Sequence, residues 1–102
     1  MSAFLIADVS PADMQAYRGS GYLEAVPNIA AEYGGVYRAR GGKAEVLEGE
    51  WQPKRLVVIE FPSWDELQAF YHCEAYAPYR DIRQRLTESH IVALEGTDAT
   101  PK

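Results

Sequence analysis

The chain has 102 residues, of which 47% are hydrophobic and 25% charged. This composition is typical of one globular domain and unlike that of a disordered segment. The formal net charge of −5 argues against a nucleic-acid partner, because phosphate binding requires a basic surface. Cys73 is the only cysteine, so an intramolecular disulfide is excluded. No apolar run has the length of a membrane span and the N-terminus lacks a basic leader region, so we expect a cytoplasmic protein without a membrane partner.

The first predicted elements are a strand over residues 4–9 and a helical segment after it. Ser10 is suited to cap this helix and Pro11 to occupy its first position. The helical spacing is interrupted by Gly19-Ser20-Gly21 and again by Pro27. Since glycine weakens a helix and proline removes a backbone donor, the pattern predicts a broken or kinked helix.

The next segment has the pattern of a β-hairpin. Residues 36–40 and 43–48 are separated by Gly41-Gly42, and two glycines are typical of a two-residue hairpin turn. The register that this turn imposes places Arg38 opposite Glu45, which opposite charges favour.

The run Arg55-Leu-Val-Val-Ile-Glu-Phe61 predicts a strand buried on both faces. Ser63, with Glu66 three residues later, forms a capping box that opens a helix. A second helical stretch begins no later than Pro78, and residues 90–94 form the last predicted strand.

The order β-α-β(hairpin)-β-α-β predicts a ferredoxin-like α+β fold, an antiparallel sheet with two helical segments on one face. We expect one domain over residues 1–96 and a flexible tail over 97–102. Two helices cover one face only, whereas the strands have apolar residues on both faces. A second copy of the chain is the simplest cover for the other face, which predicts a homodimer through the sheet.

Several segments in combination closely resemble the domain-of-unknown-function family 1330. They are Tyr33-Gly-Gly-Val-Tyr-Arg-Ala-Arg-Gly-Gly-Lys43, Glu48-Gly-Glu-Trp51 with Pro53 and Arg55, Val57-Val-Ile-Glu-Phe-Pro-Ser63, and Phe70-Tyr71 with Glu74-Ala-Tyr76. The resemblance implies a dimeric α+β barrel, in which two ferredoxin-like subunits pack sheet against sheet. It implies no established activity. The sequence departs from the family pattern at His72-Cys73, which argues against any role for a serine there.

Glu60 is the main candidate for acid–base chemistry. A carboxylate at the mouth of an apolar cavity has a raised pKa and can act as general base or acid. The alternative is a structural ion pair with Arg38, Arg40 or Arg55, which would lower that pKa. His90, at the start of the last strand, is a second catalytic candidate, or else a structural or surface residue.

The tyrosines and tryptophans suit a pocket for a small aromatic or amphipathic ligand. The candidate ligand-binding residues are Arg38, Trp51, Tyr71, Tyr76 and Arg83. The aromatic residues equally suit a core and a dimer interface. Arg83 can hold a ligand carboxylate, or it can belong with Arg80 and Arg85 to a solvated helix face.

His72 and Cys73 diverge on a helix and lack the spacing of a zinc site, so we expect no metal and no cofactor. Three functions remain open. The first is a homodimer that binds a small aromatic or carboxylate-bearing molecule between sheet and helices. The second is a cofactor-free monooxygenase or isomerase that uses Glu60, and the third is a purely structural or partner-binding dimer.

Overall fold

The structure is a computed structural model, and it describes residues 1–97. The predicted tail therefore falls almost entirely outside the described residues. Along the chain, the elements follow the expected order, except that residues 43–48 form no strand. The elements are β1 Ala3–Pro11, α1 Met14–Gly19, α2 Tyr22–Glu32, β2 Val36–Arg40, β3 Leu56–Phe61, α3 Trp64–His72, α4 Ala77–Leu86 and β4 Thr87–Glu95.

The four strands form one antiparallel sheet in the order β2-β3-β1-β4. The central strand β1 pairs with β3 on one side, where Leu5 lies opposite Ile59, and with β4 on the other, where Ile6 lies opposite Val92. This order is that of a ferredoxin-like sheet, so the predicted fold class is confirmed.

Side chains of β1, β3 and β4 alternate between the two faces of the sheet, and those of β2 do so except at a register shift between Tyr37 and Ala39. Those pointing to the helices are buried, and they meet large side chains from α1 to α4 in one core. The buried core residues are Ala3, Leu5, Ala7, Val9, Tyr17, Val26, Ala30, Ile59, Phe61, Leu67, Phe70 and Tyr76. The opposite face, which we call the open face, carries half-buried or exposed apolar residues. They include Phe4, Ile6, Val58, Val92 and Leu94.

The first helical segment differs from its prediction at its start. Asp13, and not Ser10, caps α1, because its Oδ1 accepts hydrogen bonds from the backbone N–H groups of Gln15 and Ala16. Ser10 and Pro11 remain in β1. They lie beyond the first residue of β3, and they pair with β4. The predicted break is confirmed: Gly21 has φ of +87° between α1 and α2, a conformation that glycine adopts without strain.

The predicted hairpin over residues 36–48 is wrong in its second half. Residues 43–48 form no strand. The first half, β2, instead pairs with β3. Gly41 has φ of +69° and its N–H donates to the Leu56 carbonyl at 2.8 Å, so the chain leaves the sheet beside β3 rather than turning back on β2. Arg38 consequently meets Glu60 and not Glu45.

The second half of the chain follows its prediction closely. Ser63 caps α3, its hydroxyl accepting from the Glu66 N–H at 3.1 Å. The last strand is longer than predicted, since β4 begins at Thr87. Among residues 1–97, no helix is long and apolar enough to cross a membrane.

Candidate ligand-binding site

A cavity of about 40 Å³ lies between the helix-facing side of the sheet and the helices. Its walls combine apolar side chains of β1, β3, β4 and α2 with a polar group that we call the tyrosine–arginine cavity lining. This lining consists of Tyr17, Tyr22, Tyr37, Tyr76, Arg55 and Arg83. The cavity is therefore apolar on its sheet side and rich in hydroxyl and guanidinium groups elsewhere.

Arg83 is the most unusual member of this lining. It is the buried residue of α4, with 3% of its surface exposed. Its Nε donates to the Tyr76 hydroxyl at 3.4 Å and its Nη2 to the Tyr71 hydroxyl at 3.2 Å. Tyr76 in turn shares a hydrogen bond of 2.7 Å with the Tyr22 hydroxyl. A chain of hydroxyls thus leads from a buried cation across the cavity.

No carboxylate neutralises Arg83 within residues 1–97. The ion pairs found in that part of the chain are Arg38–Glu60, Arg85–Asp81 and the His90–Glu88 contact. Burying a charge without an opposite charge is costly, and hydrogen bonds to neutral phenols offset this cost only in part. The cavity is consequently electropositive.

Arg55 and Arg40 add to this positive character. The Nε of Arg55 is buried and has no hydrogen-bond partner in the described part of the chain. Arg40 is exposed at the cavity edge, where its Nη2 donates to the Leu23 carbonyl at 2.7 Å and its guanidinium lies 5.0 Å from the centre of the Tyr37 ring. Arg40 thereby links β2 to α2 across the cavity edge.

Three tyrosines of the lining, Tyr17, Tyr22 and Tyr37, stay protonated at neutral pH. Burial raises the pKa of Tyr17 and that of Tyr37 to about 12, and burial also raises the pKa of Tyr22. For Arg83, burial acts to lower the pKa, but the contacts with Tyr76 and its neighbours outweigh burial, so the pKa is raised. The cavity thus offers neutral hydroxyls and a permanent cation.

Three predicted ligand-binding residues come together at this site: Tyr71, Tyr76 and Arg83. The alternative of a solvated face holds for Arg85 but is wrong for Arg83. Arg83 follows Tyr76 by seven residues, two helical turns, and so shares its face of the helix. This spacing is a signal that the sequence carries.

Glu60 and Arg38 lie on the other side of the sheet. Glu60 is on the open face of β3, where its Oε1 accepts from Arg38 Nε at 2.9 Å and its Oε2 from the Ser2 hydroxyl at 2.6 Å. The hydrogen bond from Ser2 and then that from Arg38 hold the pKa of Glu60 below its usual range. This is the arrangement of the structural alternative, and a catalytic role for Glu60 stays a prediction.

His90 and Trp51 lie together at one end of the open face, on the side of the sheet that faces away from the helices. Both border a shallow depression that also includes Asp8. The Trp51 indole donates to the Asp8 carboxylate at 3.2 Å. The His90 side chain is 75% exposed and lies 3.9 Å from Glu88. The structure therefore divides the predicted site residues among three places.

Arg55 is not among the site residues predicted from the sequence. A signal existed, because Arg55 alternates with Val57 and Ile59, which face the helices, and so shares their side of the strand. In residues 1–97, no group of three or more His, Cys, Asp or Glu side chains is placed to hold a metal ion.

Fold and cavity together define a small α+β chain with a ferredoxin-like sheet. The model of the family described as "Domain of unknown function (DUF1330)" matches residues 2–97, so the chain belongs to this family. No curated protein sequence gives a significant match.

Solved structures show the same fold at low sequence identity. The RPA0582 protein of unknown function from Rhodopseudomonas palustris has a TM-score of 0.71 at 16% identity, with 95% of this chain and 83% of that chain covered. Its methylated form gives a TM-score of 0.72 at 16% identity, with 98% and 84% covered. SnoaB, a cofactor-independent oxygenase from Streptomyces nogalater, has a TM-score of 0.53 at 13% identity, with 99% and 98% covered.

Proposed function

We propose that this chain binds a short organic acid in the cavity between sheet and helices, with the ligand carboxylate paired to Arg83. One observation carries the proposal: Arg83 is 3% exposed and has no carboxylate partner within residues 1–97. A buried guanidinium is an efficient carboxylate receptor, because it combines charge with a fixed fork of donors.

The volume of the cavity favours a short acid over an aromatic one. An apolar cavity of about 150 Å³ holds a benzene ring, whereas this cavity measures about 40 Å³. Of the two ligand classes that the sequence suggests, a short carboxylate therefore needs the smaller rearrangement of the walls.

The surrounding groups suit a carboxylate in charge and in hydrogen bonding. Arg83 uses Nε and Nη2 for the hydroxyls of Tyr76 and Tyr71, which leaves Nη1 as a donor for a ligand. Tyr17 and Tyr22 are neutral hydroxyl donors on account of their raised pKa. Because the site is largely shielded from water, the attraction between guanidinium and carboxylate is stronger than at a surface.

Calorimetric titration with propionate tests the proposal. The wild type should bind, and Arg83→Met, which keeps the bulk of the side chain without its charge, should bind about tenfold to hundredfold more weakly. Arg85→Met is the matched control, since Arg85 is on the same helix but exposed, and it should bind like the wild type. Equal affinity of Arg83→Met and wild type for propionate would refute the proposal.

The proposal includes a homodimer through the open face. Val92, Leu94 and Val36 are 57%, 53% and 46% exposed on this face, beside the half-buried Phe4 and Val58. A contiguous apolar patch of this kind is typical of an interface. Within residues 1–97 no helix lies over it, and a second copy of the chain would supply a face of the same apolar character.

Sedimentation at micromolar concentration tests the dimer. We expect the mass of two chains. A compact monomer whose open face binds no apolar dye would contradict it. With one cysteine and no membrane-spanning helix in residues 1–97, we assign the dimer to the cytoplasm.

A cofactor-free enzyme is the second candidate function. It is favoured by the fold likeness to SnoaB, a cofactor-independent oxygenase, at an identity too low to transfer activity. In this alternative Glu60 or His90 acts as base, and the dimer would enclose both on the open face. Oxygen uptake with hydroxyaromatic substrates that disappears in Glu60→Gln, while propionate binding persists, would favour the enzyme.

A further inference from the structure

We propose that the cavity has a second anion subsite at Arg55, so that short dicarboxylates bind more tightly than monocarboxylates once the walls have moved to admit these larger acids. This inference rests on the proposed function, because it takes Arg83 as the first subsite. The second subsite adds one requirement: the ligand must carry a second acceptor group that reaches Arg55.

The Arg55 side chain contains a buried donor without a partner in the described part of the chain. This donor is the N–H group at Nε. A buried donor left unpaired is unfavourable. A ligand oxygen would satisfy this donor and remove the penalty.

The backbone around Arg55 is held firmly, which fixes where its side chain starts. The Arg55 N–H donates to Asp8 Oδ1 at 3.3 Å, and its carbonyl accepts from the Val9 N–H at 3.0 Å. Gly41 passes directly beside the guanidinium, because a Cβ built on Gly41 would lie 2.9 Å from Arg55 Nε. Gly41 thus leaves room for the guanidinium.

The charge balance of the cavity favours two carboxylates. Arg83 and Arg55 both line it, and in the described part of the chain neither has an ion-pair partner. Tyr17 lies near both guanidiniums. Burial raises the pKa of Tyr17, and the two guanidiniums each act to lower it by a smaller amount. A monocarboxylate neutralises one cation, whereas a dicarboxylate neutralises both without a further group.

The test compares acids of equal chain length by calorimetry at neutral pH: malonate with propionate, and succinate with butyrate. The wild type should bind at least one dicarboxylate about tenfold or more tighter than its monocarboxylate partner. Arg55→Met should reduce this preference to about threefold or less. Lys54→Met, an exposed neighbour, should retain the wild-type preference.

The outcomes separate the two proposals. If propionate binds through Arg83 but neither dicarboxylate binds more tightly, the second subsite is refuted and the proposed function stands. If no acid binds, or if Arg83→Met binds as well as wild type, the proposed function fails first. Should Arg55→Met not fold, as judged by circular dichroism, Arg55→Lys takes its place. It keeps the charge but lacks Nε, and an unchanged malonate preference in it would overturn the role of Nε.

Discussion

Charged residues have different surroundings on the two faces of this sheet. On the open face, Glu60 and Arg38 form an ion pair of 2.9 Å whose side chains are 26% and 58% exposed. On the helix-facing side, Arg83 is 3% exposed and donates hydrogen bonds to the hydroxyls of Tyr76 and Tyr71. The better-hydrated pair has full charge compensation, whereas the buried cation has no carboxylate partner among residues 1–97.

This difference indicates where function is to be sought. An exposed ion pair is complete in itself and contributes little to stability. A buried guanidinium without a counter-charge lowers stability and contributes nothing to packing that an apolar side chain would not. Strained electrostatics of this kind mark functional sites more often than exposed pairs do. The cavity, and not the carboxylate of β3, is thus the stronger candidate.

The largest expected effect comes from placing one charge on either face of β3. Ile59→Asp puts a carboxylate among core residues, where Ile59 is 4% exposed. The free-energy cost of burying this carboxylate should be comparable to the roughly 5–15 kcal/mol that stabilise a domain. Circular dichroism should therefore show an unfolded variant. Val58→Asp, one residue away on the open face, should leave the subunit folded and split the dimer in sedimentation. Unfolding by both variants to the same extent would remove the distinction between the faces.

Alkaline pH should weaken the helix-facing side next. Burial raises the pKa of Tyr17 from 10.0 to about 12. A group whose folded pKa lies above its unfolded pKa contributes stability that is complete below pH 10 and lost as pH rises to 12. The loss is about 2–3 kcal/mol for Tyr17. Urea unfolding at pH 8, 10 and 12 measures it, and Tyr17→Phe should lose less over this range than wild type. Parallel pH profiles of the two proteins would contradict the assignment.

A smaller effect on the free energy of unfolding is expected for Arg83→Met. The variant loses two hydrogen bonds to tyrosine hydroxyls, each contributing about 1 kcal/mol, but it no longer buries a charge. The free energy of unfolding should therefore change by no more than about 1 kcal/mol in either direction. Arg85→Met serves as the exposed control. A loss of about 3 kcal/mol or more would make Arg83 a structural residue and remove the basis of the anion site.

The sequence predicts the second half of the fold better than the first, for a physical reason. Capping at Ser63 depends on residues three apart, Ser63 and Glu66, and such local hydrogen bonds are readable from sequence. The false hairpin at Gly41-Gly42 also had the correct local pattern. It failed because β3 pairs with the same edge of β2. This pairing joins residues at least 17 positions apart in sequence, and no local pattern indicates it.

The candidate site was predictable in part for the same reason. Tyr76, the N-cap of α4, precedes Arg83 by two helical turns, and Arg55, directly before β3, keeps the alternation of that strand. These spacings indicate which side each residue occupies. That Arg83 meets the Tyr22–Tyr76 hydroxyl pair depends on how α2 and α4 pack. The partnership of Glu60 with Ser2 joins residues 58 positions apart, and no local pattern indicates it.

The smallest expected effect concerns Glu60→Gln. The amide keeps the size of the side chain and can still accept from Ser2, but it removes the charge that pairs with Arg38. Because the folded pKa of Glu60 lies below its usual 4.5, the carboxylate contributes stability above pH 4.5 that is lost as pH falls through the folded pKa. At pH 7 we expect a slight fall in melting temperature, and below pH 4.5 the difference between variant and wild type should shrink. Glu88→Gln, an exposed control, should melt as wild type does throughout. If Glu60→Gln instead melts well above wild type at pH 7, the carboxylate is a strained group of the kind found at active sites, and the contrast between the two faces reverses.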